Sequence, residues 1–233
     1  MLISKSFPIS YISYLNSKGF LNVFLKATIV YGKRLERSKK IEIIWKINYQ
    51  IFNYFLDYYR EEKYWITFKE SWDSAKWNTH DALYISEKAL SKFLDDPTLN
   101  RTSKAENYNG RKGSRAFVNE HIIPFNILIE KYKDNFKNKN PSFSTYKKFF
   151  NQFNKICFVW HDEDILLNKA GYKKEMPSNH NSLEENIFAR YDAVEIKPIR
   201  TKFINPSCLF SELGERRNAG YSLHEVISQI IDS

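Results

Sequence analysis

Apolar side chains return at intervals of three and four residues along much of this chain, and that spacing restricts its fold more than any other feature. Ile44, Ile47, Ile51, Phe55 and Tyr58 fall on one stripe of a helix with about 3.6 residues per turn. Phe20, Val23, Phe24 and Ala27 share a second helical face. Glycine and proline are scarce, seven of each in 233 residues, while Phe, Tyr and Trp make up 16%. A turn-rich β-sandwich or barrel needs more chain-reversing residues than this. The expected architecture is mainly α with a few short strands (α+β minor), in a single compact domain over residues 1–233. A soft boundary or mobile basic loop is expected at 98–115.

The remaining elements follow from local signals. A helix is predicted near 83–95, with Ile85, Ala89, Leu90 and Phe93 apolar and Pro97 as its stop. Pro124 draws Ile123 away from helical geometry and favours a helix opening at Pro124 and running to about Tyr132. Phe143, Tyr146, Phe149, Phe150 and Phe153 mark a helix near 143–154. The run ICFVW reads as a buried strand. The segment DEDILLNKAG reads as a short helix with acids in its first turn and Gly171 at its end. Capping boxes at Ser182–Glu185 and Ser222–Glu225 open two more helices. AVEIK, at 193–197, reads as a strand. Trp65, Trp72 and Trp77 fit aromatic packing first and base stacking second. Cys157 and Cys208 both read as reduced core residues, with no spacing suited to zinc.

Charge narrows the function. The chain carries +9. Residues 101–150 hold eleven Lys and Arg against four acids, so this fifth of the chain contributes +7 of that excess. Such a concentration points to a polyanion, nucleic acid of either kind, DNA or RNA. Arg101, Lys104, Arg111, Lys112 and Lys131 are the expected nucleic-acid-binding residues. A solvated helical face explains the same charge without a partner. No apolar run reaches the roughly 20 residues that a membrane span requires. No membrane partner is therefore expected, and the expected compartment is the cytoplasm. A protein partner or a homo-oligomer is left open. P-loop and serine-hydrolase motifs are absent.

Three motifs carry chemistry. In R-A-F-V-N-E-H-I-I-P, Arg115, Glu120 and His121 supply a cation for phosphate, a proton acceptor and a proton donor, as phosphodiester cleavage needs. Neighbours on a regular strand point to opposite faces, so Glu120 and His121 share a site only where the backbone is irregular. A packed, hydrogen-bonded histidine is the structural alternative. In H-D-E-D, at 161–164, four side chains could hold a hard metal ion or simply cap a helix. In E-I-K, Glu195 and Lys197 form a carboxylate–amine pair in the AVEIK run.

Each motif resembles part of a nuclease family. EHIIP, at 120–124, resembles the opening of HNH-type nucleases. That resemblance implies His121 as the base, with His161 and Asp162 completing a divalent metal site such as Mg²⁺, and Asn151 or Asn154 supplying the family's asparagine. The family's glycine-containing loop after the proline is missing. R-x5-H, from Arg115 to His121, resembles the helical signature of metal-independent HEPN ribonucleases, although Ala116 replaces their usual polar residue. Glu195-x-Lys197 resembles the half-motif of PD-(D/E)XK nucleases, with Asp162, Asp164 or Asp192 as the earlier acid. The expected function is a phosphodiester-cleaving nuclease that uses His121, Glu120 and Arg115. Such a chain would suit a toxin or phage-defence effector. The alternative is a non-catalytic nucleic-acid-binding module or partner subunit.

Overall fold

Four short strands form one mixed sheet, and its pairing explains where every motif lies. In the computed structural model, residues 42, 45–46, 49, 83–105, 115–136, 139, 141–178 and 182–231 are described. The strands are β1 (Leu83–Ser86), β2 (Phe117–His121), β3 (Ile156–Trp160) and β4 (Pro198–Arg200). They lie in the order β2-β3-β1-β4. β1 runs parallel to β3, and both edge strands are antiparallel to their neighbours. The helices are α1 (Glu87–Asp95), α2 (Phe125–Phe136), α3 (Phe143–Phe153) and α4 (His161–Lys169). After these come α5 (Ala189–Asp192), α6 (Pro206–Asn218) and α7 (Leu223–Ile230). The expectation of a mainly α chain is thus corrected to mixed α/β, because the sheet organises the core.

The chain divides into two compact units. One comprises Met1–Thr79 and Phe136–Lys148, the other His80–Asn135 and Phe149–Ser233. The residues 98–115 lie within the stretch assigned to the second unit. In the first unit, Tyr49 donates its hydroxyl to the Pro141 carbonyl at 2.7 Å. Its ring meets Phe143 and Tyr146, and Trp45 stacks edge-on to Tyr146. Most of the helices read at 10–31 and 44–58, and the Trp65–Trp77 stretch, lie outside the described residues.

The second unit holds the sheet. Because side chains alternate along a strand, its two faces differ. One presents Leu83, Ile85, Phe117, Ile156 and Phe158, and α1 and α6 cover it. Phe93 of α1 and Phe210 of α6 close on Phe117 with ring centroids 5.1–5.9 Å apart. Phe210 also meets Phe158 at 5.1 Å. The other face presents Tyr84, Cys157 and Val159, packed with Leu167 of α4 and Tyr191 of α5. Among the described residues, no helix is long and apolar enough to cross a membrane.

Several local expectations need correction. The segment 83–86 is a strand and only 87–95 is helical. Ser86 is the hinge, capping α1 by accepting the Ala89 N–H at 3.1 Å. AVEIK is a turn, and the strand starts just after it at Pro198. Ser182 accepts the Glu185 N–H at 3.3 Å, but turns follow, and the helix is confined to Ala189–Asp192. Cys157 is buried while Cys208 is exposed.

Candidate functional site

β2 holds two of the three motif residues, Glu120 and His121, and separates them. Its register against β3 is regular from Phe117↔Trp160 to His121↔Ile156. Glu120 and His121 therefore project from opposite faces of the sheet. The break imposed by Pro124 comes too late to bring them together. Arg115 lies beyond the far end of β2, exposed, in an antiparallel bridge with Lys104. The span between Arg115 and His121 contains the strand, so the R-x5-H spacing does not fall on a helix.

Glu120 is committed to a partner that no local pattern predicts. Arg190 on α5 is fully buried. Its Nη2 donates to Glu120 Oε1 at 2.6 Å, its Nε to the Ile122 carbonyl at 2.8 Å and its Nη1 to the Tyr172 carbonyl at 2.7 Å. Nη2 also donates to the His121 carbonyl. Burial pushes the Glu120 carboxyl above its usual value, and the charge of Arg190 opposes that rise. One guanidinium thus holds the chain where it leaves β2, and Glu120 balances its charge. Arg190 could have been flagged only as a basic residue on a short helix, since its partner lies 70 residues away.

His121 and Asn119 share the opposite face of β2. His121 is half-buried, with its ring 5.7 Å from Phe125 at the start of α2. Asn119 is half-buried too, and among the described residues its buried Oδ1 has no hydrogen-bond partner. The sequence reading passed over Asn119. Strand alternation could have found it, since residues i and i+2 on a strand share a face.

The residues of the metal motif diverge. His161 and Asp162 open α4 at the Trp160 end of β3, four residues along from the pair that His121 makes. That separation is about 13 Å at ~3.3 Å per residue. His161 Nε2 lies 2.9 Å from Asp162 Oδ1. Glu163 turns inward, is 4% exposed, and accepts the Ser86 hydroxyl at 2.5 Å and the Trp160 N–H at 2.7 Å. Asp164 faces Asn168. Asn154 is buried at the end of α3, and the Asn151 carbonyl accepts from Lys155. Among the described residues, no three His, Cys, Asp or Glu side chains group to hold a metal ion. Glu195, in the E-x-K pair, has a left-handed backbone, φ 59°.

The basic residues fall into two classes. Lys131 is paired with Glu184 at 2.7 Å and lies over the Phe153 ring. Lys104 and Arg115 are exposed and side by side, and among the described residues neither has an acidic partner. Arg101 is half-buried in the adjoining turn. Arg111 and Lys112 lie outside the described residues.

No protein-family model, curated protein or solved structure matches this chain.

Proposed function

We propose that the second unit binds nucleic acid through the basic stem formed where residues 104 and 115 pair. The carrying observation is the bridge itself. It sets two exposed cations, Lys104 and Arg115, next to each other at the base of a segment whose sequence adds Arg111 and Lys112. Cations held on paired backbone suit phosphates better than the same charges on separate side chains, because less freedom is lost on contact. Lys131, neutralised by Glu184, contributes less. The test is fluorescence anisotropy with single- and double-stranded DNA and RNA across a salt series. Affinity should fall steeply with salt. The double substitution Lys104→Ala/Arg115→Ala should reduce the slope of log K against log salt on duplex DNA by about 1.8, at roughly 0.9 per phosphate contact. Salt-independent binding, or an unchanged slope, would refute the stem.

A second reading, phosphodiester cleavage, is favoured by Asn119 and His121 sharing one face, with Asn119 Oδ1 buried and, among the described residues, unsatisfied. His121 would be the base or acid, and Asn119 would replace Glu120 as its neighbour. A toxin or defence effector would use such cleavage. Incubating labelled DNA and RNA with wild type and His121→Ala, in Mg²⁺, Mn²⁺ or EDTA, tests it. Cutting lost on substitution supports this reading, and equal cutting by both proteins removes His121 from it. Cutting by neither leaves the binding reading standing alone.

A further inference from the structure

The two parallel strands send their chains to opposite sides of the sheet. β1 leads through Ser86 into α1, which covers the aromatic face, and β3 leads into α4, which covers the face with Tyr84 and Cys157. Adjacent parallel strands whose connections diverge leave a crevice at their carboxyl ends, the usual place for a ligand in α/β sheets. A cavity of about 500 Å³ lies there, within the size range of small-molecule sites. It is independent of the basic stem.

The lining has a definite chemistry. Glu163 is among the lining residues, and among the described residues both of its hydrogen bonds end on Oε2, so Oε1 is available as an acceptor. Such an acceptor suits a ligand that brings a hydroxyl donor to it. Lys88 and Lys92 line the same cavity one helical turn apart on α1, and Lys197 lines it too. Among the described residues, the acidic contact of Lys88 is a long, exposed one with Asp162 at 3.6 Å, and that of Lys197 one with Glu87 at 3.9 Å. Leu166 and Ile196 supply apolar surface. Glu87, Asp95 and Glu195 also line the cavity, so with Glu163 the acids outnumber the three lysines, and the anion accepted is limited to the single phosphate that Lys88 and Lys92 can hold.

We propose that this crevice binds a phosphomonoester bearing free hydroxyls, with a hydroxyl on Glu163 Oε1 and the phosphate between Lys88 and Lys92. A sugar phosphate and a nucleoside monophosphate share that chemistry. Calorimetric titration of the full chain at low ionic strength, with ribose 5-phosphate, adenosine monophosphate, ribose and inorganic phosphate, tests it. One or both phosphorylated sugars should bind at least about tenfold more tightly than ribose or phosphate alone, a difference of about 1.4 kcal/mol. A gain for the nucleotide over ribose 5-phosphate assigns the base to Leu166 and Ile196, and parity assigns a sugar phosphate. Lys92→Met, an exposed change that spares the fold, should weaken the phosphorylated ligand about tenfold and leave ribose unchanged. Glu163→Gln should weaken ribose and the phosphorylated ligand alike, while Lys104→Ala should change neither. Equal affinity for all four probes, indifference to Lys92→Met, or no binding at millimolar concentration would each overturn the proposal.

Discussion

The two faces of the sheet solve the problem of burial in different ways. On one, Phe93, Phe117, Phe158 and Phe210 interlock edge to face, and among the described residues the one cation in contact, Arg217, lies over the Phe93 ring rather than in a buried ion pair. On the other, Glu120 and Arg190 are buried as a pair beside Cys157 and Tyr191, whose thiol and hydroxyl are both pushed well up by burial. The aromatic face tolerates loss in proportion to volume removed. The polar face is more brittle, because removing one partner strands the other. Charge on the polar face fixes the exit of β2.

The sharpest test of that contrast is Arg190→Ala. It should cost about 3–5 kcal/mol, since Glu120 is left buried and carbonyls of His121, Ile122 and Tyr172 lose their donor. Urea denaturation measures it. The joint replacement Glu120→Leu/Arg190→Met should cost much less than Arg190→Ala alone, and an equal or greater cost would break the argument. On the aromatic face, Phe210→Ala should cost about 3 kcal/mol, readable in the same experiment. Glu163 gives a smaller, pH-dependent effect. Burial raises its carboxyl above the usual range. Its contribution to stability is then fully present below the unfolded value and lost as pH rises through the folded value. Melting curves from pH 4 to 7 should show that loss, and Glu163→Gln, which keeps an oxygen for Ser86 and Trp160, should reduce it, with the raised Glu120 carboxyl supplying the remainder. The smallest effect is expected at Lys104→Ala, within about 0.5 kcal/mol by denaturation, because the side chain is exposed.

The elements that were legible in the sequence are those with local causes. The acids of α4 with Gly171 at φ 83° beyond its end, the Ser222–Glu225 capping box of α7 and the apolar run of β3 each lie where their signals put them. β1 was hidden because three apolar residues before a serine fit a helix start as well as a strand, and Ile156, the partner of Leu83, lies 73 positions away. β4 is only three residues long and follows a turn in which Glu195 adopts a left-handed backbone, so its alternation never develops. The candidate site was less legible for the same reason. Strand alternation warned that Glu120 and His121 diverge, but nothing local could reveal that Arg190 would claim Glu120. The exposed pair of Lys104 and Arg115 is visible as charge in the sequence, and only the bridge shows that the two stand together.

That bridge also governs how this region can change. Ten residues separate Lys104 from Arg115, and joining the ends of a chain grows harder only with the logarithm of its length. Doubling the span between them would cost about 0.6 kcal/mol. Insertions between positions 105 and 114 should therefore be accepted with β2 still anchored behind them, which makes this stretch a natural port for grafting a tag or a longer recognition segment.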